Sequence, residues 1–160
     1  PHPLYGFKRP ISPHLAARDV DRRILPREVA RWLAKAEEPF DDTLHCWSLV
    51  ETAGGAFSPL GARLTNADLA STLDPAVWIL VAPDALGVLH DVRATFLALG
   101  VRHRKPDFLV LSEARGADAS VGTNGRELGR VGPMRPIATL ARGDTGGTTL
   151  RPLLRALSRR

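Results

Sequence analysis

The stretch from Val50 to Pro59 contains the residue types best suited to binding chemistry. Glu51 follows an apolar run, Cys46–Val50, and is itself followed by the glycines Gly54 and Gly55. A carboxylate can hold a cation, and the backbone N–H groups of glycines can approach an anion closely because no Cβ intervenes. The pattern predicts a cation site beside a site for a phosphate or carboxylate. The alternative interpretation is a plain strand-to-loop connection that carries a surface glutamate.

The apolar run Cys46–Val50 is bounded by turn residues, which is typical of a strand buried on both faces. Strands of this kind occur in parallel α/β sheets, where ligands bind beyond the carboxyl ends of the strands. Glu51 is therefore expected at the ligand-binding edge. Cys46 on the same strand is expected to be a packed thiol rather than a nucleophile.

Strand and helix patterns alternate along the rest of the chain, which predicts a parallel sheet flanked by helices in one domain, 1–160. Further strands are predicted at Val77–Val81, Phe108–Leu111 and Ile137–Leu140. Helices are predicted at 14–18, from Leu25 to before Pro39, from an N-cap at Thr65 to before Pro75, at Leu86–Leu99, at Val121–Val131 and at Leu150–Ser158.

Two of these helices carry an apolar stripe that defines the face expected to pack inward. In the helix after Leu25 the stripe consists of Val29, Trp32, Leu33 and Ala36. In the helix from Leu86 it consists of Leu89, Val92, Phe96 and Leu97, with Gly100 expected as the C-terminal cap.

Composition narrows the classes of function. The net charge is +5 and the sequence pI is about 10.3. The basic clusters at 102–105 and 158–160 are not interleaved with aromatic residues, so a basic surface is favoured over a nucleic-acid interface. Attraction of phosphorylated or carboxylated small molecules is the second interpretation.

Cysteine content and the lack of long apolar runs bear on the cellular compartment of the protein. A single cysteine fits a reducing compartment, no apolar run is long enough to span a membrane, and the first residues do not resemble a signal peptide. We therefore expect a cytoplasmic protein without membrane contact. The first residue is Pro1 rather than methionine, so we expect the chain to start inside a longer protein.

Five segments in order resemble dethiobiotin synthetase, a family of P-loop nucleotide-binding enzymes. Val50–Gly55 with Ser58 and Pro59 resembles the family's "VEGAGG…P" segment in its "VETAGG" form. The other four are Ile11–Ala17 ("SPHLAA"), Thr65–Leu69, the strand–"LG"–helix segment at 81–87, and Ala119–Asn124 with Glu127 and Leu128 ("S..TN..EL"). The resemblance covers nearly all 160 residues.

The resemblance implies a P-loop NTPase-like fold and a known reaction. The family closes the ureido ring of dethiobiotin in biotin biosynthesis from 7,8-diaminopelargonic acid and CO₂, with ATP and Mg²⁺. Glu51 would help to hold Mg²⁺. Substrate contacts are implied at Thr52, Ala53, Gly54, Gly55, Pro59, Leu86, Gly87, Val88, Leu89 and His90, and nucleotide contacts at Ser112, Ala141 and Arg142.

The same resemblance implies a homodimer in which the helix from Leu86 lies near the interface. The substrate's tail carboxylate would meet this helix from the neighbouring subunit, and a helix N-terminus does attract anions. Leu86, Val88 and Leu89 make the start of the helix apolar, as residues at interfaces are. The alternative is that all three pack within their own subunit. His90 stands where many relatives carry asparagine and is either a hydrogen-bond donor or an exposed residue.

The sequence also departs from the family. It contains no G-x-x-x-x-G-K-S/T motif, and Gly143–Thr149 is glycine-rich but lacks a lysine. Ser112 stands where the family often has an adenine-contacting asparagine, and Arg142–Asp144 replaces a proline-containing base loop. By this resemblance the chain is expected to be roughly the C-terminal two-thirds of the domain, with the N-terminal strands missing. It is either a fragment that follows an upstream P-loop segment, half of a split protein, or a degenerate relative that has rearranged.

Three functional interpretations remain from the sequence. The first is an ATP-dependent carbon–nitrogen ligase that is catalytically incomplete without an upstream segment. The second is a non-catalytic relative that serves as a scaffold or binds a partner. The third is an amidotransferase-like cobyrinate enzyme or a partition-type ATPase, which the segments resembling "SPHLAA" and "TN" disfavour. A role in nucleic-acid binding rests on the pI alone.

Overall fold

The computed structural model describes residues 2–37, 47–114, 116 and 118–159. They form two compact units, Pro1–Pro75 and Ala76–Arg160. Within the described residues no helix is both long enough and apolar enough to cross a membrane.

The first unit contains three helices and a short hairpin. The helices are α1 (Pro13–Arg18), α2 (Pro26–Glu37) and α3 (Asn66–Leu73), and the hairpin joins β1 (Pro59–Gly61) to β2 (Leu64–Thr65) in antiparallel pairing. All three helices were predicted. The hairpin was not, because strands of two and three residues are too short to show an alternating pattern.

Local sequence explains where the helices of this unit begin and end. Proline opens α2, and its predicted stripe of Val29, Trp32, Leu33 and Ala36 is half-buried, with α2 packed against α3. Thr65 caps α3 in a capping box with Asp68. Asp74 adopts a left-handed conformation (φ 47°) and Pro75 follows, so α3 cannot continue.

The prediction of a buried strand at Cys46–Val50 is wrong for the part that the structure describes. Residues 47–50 have no strand conformation, and 59% of Trp47, 90% of Leu49 and 44% of Val50 is exposed. An apolar run becomes a strand only where a neighbouring strand satisfies its N–H and C=O groups. None of the described strands pairs with residues 47–50. Cys46 lies outside the described residues.

The second unit is the predicted layer of helices on a parallel sheet. Its elements are β3 (Ile79–Asp84), α4 (Val88–Arg102), β4 (Phe108–Glu113), α5 (Asn124–Val131), β5 (Ala138–Leu140) and α6 (Arg151–Leu157). The strand order is β3-β4-β5, and both pairings are parallel. The parallel sheet with flanking helices confirms the predicted α/β fold class.

The central strand β4 is buried on both faces. Leu109 and Leu111 point into one apolar cluster with Val88, Val92 and Phe96 of α4 and Leu128 of α5. Val110 points the other way and packs with Ala138 of β5 and Leu153 of α6. The alternation follows from the period of two along a strand.

Several bounds in the second unit differ from the sequence prediction. Helix α4 begins at Val88 rather than Leu86, and α5 begins at Asn124 rather than Val121. Strand β3 starts two residues later than expected and runs on to Asp84, and its Val81 is 62% exposed. Helix α4 continues through Gly100 to a cap at His103, and its stripe uses Leu99 rather than Leu97, which is 73% exposed. Glycine in a helix is unfavourable by only about 1 kcal/mol, which the packing of Phe96 and Leu99 offsets.

Candidate functional site

The candidate residues of the first unit lie on a tight loop between Glu51 and β1. Gly54 has a positive φ of 87°, and a Cβ there would lie 2.6 Å from the Ser58 hydroxyl oxygen. The Ser58 N–H donates to the carbonyl of Gly55 at 2.9 Å and closes the turn. Glycine is required at Gly54 by both conformation and space. Gly55 has no positive φ and open space around it.

Asn66, the first residue of α3, holds this loop from the inside. Its side-chain amide nitrogen donates to the carbonyls of Ala53 and Gly55, both at 2.9 Å, and lies 3.5 Å from that of Gly54. The Asn66 side chain is almost fully buried at 2% exposure. Its Oδ1 is buried and accepts no hydrogen bond from the described residues. The carbonyl groups of the loop are therefore turned toward α3.

The N–H groups of the same loop are available to a ligand. Within the described part of the chain, no acceptor takes a hydrogen bond from the N–H of Gly54, Gly55 or Ala56. Gly54 and Gly55 are also exposed to solvent. Successive free backbone N–H groups at a glycine turn can bind an anionic oxygen. Thr52 is half-buried, and Ala53 and Pro59 are exposed along the same loop.

Glu51 is an exposed carboxylate at the start of this loop. It makes no ion pair or hydrogen bond with a residue that the structure describes. The described residues contain no group of three or more His, Cys, Asp or Glu side chains that could hold a metal. Mg²⁺ in phosphate-transfer sites is often held by one or two carboxylates together with the substrate phosphates and water. A single free carboxylate fits that kind of site and does not make a site formed by protein ligands alone.

The candidate residues of the second unit lie at the carboxyl edge of its sheet. Asp84 ends β3 and Glu113 ends β4, and the two are paired in register. Ligands of open α/β sheets bind beyond this edge. Each of the two carboxylates hydrogen-bonds a loop that follows a neighbouring strand, so both organise the edge where the predicted residues lie.

Asp84 connects the end of β3 with the start of α5. Its carboxylate is buried at 1% exposure. It accepts from the N–H of Gly122 at 2.9 Å and from the side-chain amide of Asn124 at 2.7 Å. The Asn124 amide also lies 3.1 Å from the Ser120 hydroxyl and 3.4 Å from the carbonyl of Ala85. Two buried polar residues thus join the loop after β3 to the loop after β4.

Asp118 makes a second connection between the same two loops. Its carboxylate accepts from the N–H of Leu86 at 2.9 Å, and from the N–H and hydroxyl of Ser120 at 2.7 and 2.5 Å. The Ser120 hydroxyl, followed by the N–H groups of Leu86 and Ser120, lowers the pKa of the Asp118 carboxyl from its usual value. The N–H of Leu86 is therefore already used within the chain.

The predicted substrate residues of α4 divide into exposed and buried positions. Leu86 is 84% exposed, Gly87 has a φ of 99°, and His90 is exposed, whereas Val88 is buried at 1% and Leu89 is half-buried against the core. Val88, His90 and the following Asp91 donate their N–H groups to the carbonyls of Ala85 or Gly87. Among the described residues nothing accepts from the N–H of Gly87 or Leu89.

The predicted nucleotide residues come together at β4 and β5. Ser112 is half-buried, next to Glu113 in β4 and opposite Leu140 of β5. Glu113 accepts from the N–H of Arg142 at 2.9 Å. Ala141 and Arg142 are exposed. The Glu113 carboxylate therefore fixes the loop after β5 beside Ser112.

Sequence reasoning missed four residues that shape these two sites: Asn66, Asp84, Glu113 and Asp118. Asn66 adjoins the predicted cap Thr65, where the local pattern indicates only a helix start. The apolar pattern predicts a strand that ends at Val81, which leaves Asp84 in a loop, whereas β3 runs to Asp84. The one available signal was that Asp84 and Glu113 are the first acidic residues after the apolar runs of β3 and β4.

Comparison with known proteins identifies relatives along most of the chain. A model of the family described as AAA domain matches residues 2–144. The chain is 38% identical over 140 residues to ATP-dependent dethiobiotin synthetase BioD of Anaeromyxobacter sp. (strain K), a match over 85% of this chain and 59% of that protein. It is 40% identical over 95 residues to ATP-dependent dethiobiotin synthetase BioD 1 of Salmonella typhi, over 59% of this chain and 39% of that protein.

A third relative carries the same name, ATP-dependent dethiobiotin synthetase BioD. ATP-dependent dethiobiotin synthetase BioD of Caulobacter sp. (strain K31) is 34% identical over 109 residues, 68% of this chain and 45% of that protein. The chain therefore spans between 39% and 59% of the length of the three relatives.

Proposed function

Because the chain belongs to the AAA-domain family and is a dethiobiotin synthetase-like P-loop NTPase, we propose that its protein closes the ureido ring of dethiobiotin. The substrates are 7,8-diaminopelargonic acid and CO₂, and the reaction uses ATP and Mg²⁺. One amine of the substrate adds to CO₂ and forms a carbamate. The carbamate oxygen attacks the γ-phosphate and ADP leaves. The second amine then attacks the carbonyl carbon and displaces phosphate.

The observation that supports this proposal most directly is the Asn66-held glycine loop. The reaction develops negative charge on the carbamate and phosphate oxygens. Fixed N–H groups stabilise such charge because they need no reorganisation as it develops. The free N–H groups of Gly54, Gly55 and Ala56 supply donors of this kind, in a loop whose carbonyls are held away by Asn66.

Mg²⁺, when bound, neutralises charge on the phosphates. Glu51 is the residue of this chain proposed to hold it, since its carboxylate is exposed and makes no ion pair or hydrogen bond with a described residue. Within the second unit, the start of α4 at Gly87–His90 would receive the tail carboxylate of the substrate. Ser112, Ala141 and Arg142 would receive the nucleotide at the carboxyl edge of the sheet.

The phosphate cradle itself would come from outside these 160 residues, since they contain no G-x-x-x-x-G-K-S/T motif. We accordingly propose that the polypeptide printed here does not turn over ATP alone. The proposal includes a homodimer and a cytoplasmic location, the latter in keeping with the single cysteine.

The test compares the natural protein that contains this chain with the 160-residue polypeptide. Each is incubated with 7,8-diaminopelargonic acid, bicarbonate, Mg²⁺ and ATP, and phosphate and dethiobiotin are measured. We expect both products from the natural protein and neither from the polypeptide. Folded natural protein that forms no dethiobiotin would refute the ligase and favour a non-catalytic scaffold. Turnover that co-purifies with the polypeptide would refute its incompleteness.

A further inference from the structure

Asp84 and Asn124 form a buried polar pair that the proposed reaction does not use directly. The Asp84 carboxylate and the Asn124 amide lie 2.7 Å apart, at 1% and 5% exposure. Both carboxylate oxygens are used, since the second accepts from the N–H of Gly122 at 2.9 Å. Burying a carboxylate is costly even when it is hydrogen-bonded, and an apolar pair would stabilise a core at least as well.

The position of this pair points to a different role from stability. Asp84 directly precedes Ala85–Gly87, the segment that leads into α4. Asn124 also contacts this segment, with its amide 3.4 Å from the carbonyl of Ala85. The Asp118 carboxylate accepts a hydrogen bond from the N–H of Leu86 at 2.9 Å. The Ala85–Gly87 segment is therefore attached at Ala85 and at Leu86 to residues that follow β4.

We propose that Asp84 and Asn124 are a positioning pair, which sets the backbone of Ala85–Gly87 so that the start of α4 accepts the tail carboxylate of the substrate. This inference rests on the proposed function for the identity of that ligand. Neither residue touches the reacting atoms. Their effect is on the direction of the N–H groups of Gly87 and Leu89. At this end of α4, these two N–H groups have no acceptor among the described residues. An error of about 1 Å in such positioning can cost as much as 100-fold in rate.

Exchanges between aspartate and asparagine at positions 84 and 124 keep the side-chain shape, so they distinguish a role in positioning the segment from a role in packing. Asp84→Asn places an NH₂ group against a donor, because both partners of Asp84 donate. Asn124→Asp places two carboxylates against each other. The double exchange, Asp84→Asn with Asn124→Asp, restores one carboxylate and one amide in reversed order, and the Gly122 N–H again meets an oxygen. The carboxylate at position 124 cannot donate to the carbonyl of Ala85, so that contact stays lost. Asp21→Asn is the matched control, since Asp21 is exposed and asparagine tolerates its φ of 49°.

The natural protein is assayed by steady-state kinetics, with thermal unfolding and ¹⁵N amide spectra of each variant. We expect each single exchange to raise the KM for 7,8-diaminopelargonic acid by about tenfold and to leave the KM for ATP within about twofold of wild type. The amide signals of Leu86 and Gly87 should shift in both single variants. The double exchange should recover the KM and the signals only in part, because the contact to the Ala85 carbonyl stays lost, and Asp21→Asn should change neither.

Two results would overturn the inference. One is a diamine KM that stays at the wild-type value while only the unfolding temperature falls, which describes a purely structural pair. The other is amide signals of Leu86 and Gly87 that do not move in the single variants. This second readout needs no turnover. If the wild-type protein formed no dethiobiotin, the proposed function would fall, and the amide signals would still decide whether the pair positions the segment.

Discussion

The side-chain amide of Asn66 donates to the carbonyl of Gly55 at 2.9 Å, across 11 positions of the sequence. The same nitrogen donates to the carbonyl of Ala53 at 2.9 Å. Because a peptide group carries its N–H opposite its carbonyl, turning these carbonyls toward α3 exposes the N–H side of the loop. The anion-binding character of the glycine loop therefore depends on the first residue of a helix as well as on the glycines.

Replacement of Asn66 by aspartate should remove the hydrogen bonds that hold the glycine loop, with almost no change in side-chain shape. A carboxylate cannot donate to the carbonyls of Ala53 and Gly55, and burial at 2% exposure leaves it without water. We expect the free energy of unfolding to fall by about 2–4 kcal/mol, measured by urea denaturation. Ala94→Asp, which adds the same charge on the exposed side of α4, should cost about 1 kcal/mol or less. Equal losses in the two variants would contradict the role of Asn66.

Gly54 and Gly55 should respond differently to alanine. At Gly54 the new Cβ would lie 2.6 Å from the Ser58 hydroxyl oxygen, and φ is 87°, so we expect a loss of about 1–2 kcal/mol in unfolding free energy. At Gly55 there is open space and no positive φ, so the loss should stay within about 0.5 kcal/mol. Thermal unfolding of the two variants side by side is the measurement. The reverse order, or equal losses, would refute the loop geometry.

Local patterns predicted elements correctly where the local sequence decides them. The capping box of Thr65 and Asp68, the proline at the start of α2 and the apolar run of β4 all act within a few residues, and each of these elements was found. The run Cys46–Val50 shows the limit of this reasoning. An apolar run is necessary for a buried strand but not sufficient, because pairing depends on a partner that the run itself does not encode.

The sequence predicted which stretches of the chain form the candidate sites, but not the hydrogen bonds that connect those stretches. The glycine loop and the residues around Leu86 were located from their types and order, and the structure places the second set at the carboxyl edge of the β3–β5 sheet. The contacts that organise them join residues far apart in the chain, such as Asp84 with Asn124, 40 positions away. Sequence periodicity does not predict pairs at this distance. They meet because β3 and β4 run parallel and end at the same edge of the sheet, where α5 begins soon afterwards.

Removal of the Glu51 charge should weaken Mg²⁺-dependent nucleotide binding by the natural protein. Glu51→Gln keeps the size of the side chain and loses a metal-binding carboxylate, so we expect the Kd for Mg-ATP to rise by roughly tenfold or more. Binding of ATP without Mg²⁺ should change little. Calorimetric titration with and without Mg²⁺ measures both. Glu37→Gln, another exposed glutamate, is the control. Identical Mg-ATP affinity in wild type and Glu51→Gln would show that Glu51 is not a metal ligand.

Asp118 should make the stability of the second unit depend on pH in the acid range. Its folded-state pKa lies below the usual 3.8, so its contribution is present above that value and is lost as the pH falls through the folded-state pKa. Asp118→Asn should therefore lower the unfolding temperature at pH 6, and the gap to wild type should narrow progressively below about pH 4. Thermal unfolding by circular dichroism across this range is the measurement. A gap that stays constant or widens toward acid would contradict the role of the carboxylate.

Association can be tested at the start of α4, where the three apolar residues proposed for a dimer interface differ in burial. Val88 and Leu89 pack on the core of their own unit, and Leu86 is 84% exposed. For the first two residues the structure agrees with the alternative that they pack internally. Leu86 is left as the member of the three that a partner subunit can cover.

Leu86→Asp and Leu89→Asp in the natural protein should therefore have opposite effects. Placing a charge at Leu86 should weaken the dimer and leave the unfolding temperature of the monomer unchanged, because an exposed apolar interface residue contributes to association rather than folding. Placing a charge at Leu89 should lower the unfolding temperature, because a carboxylate would enter the cluster around Val92 and Phe96. Light scattering over a range of concentrations gives the mass, and circular dichroism gives the unfolding temperature. A wild-type protein that stays monomeric at the highest concentration, or a dimer that Leu86→Asp does not weaken, would exclude an interface at this helix start.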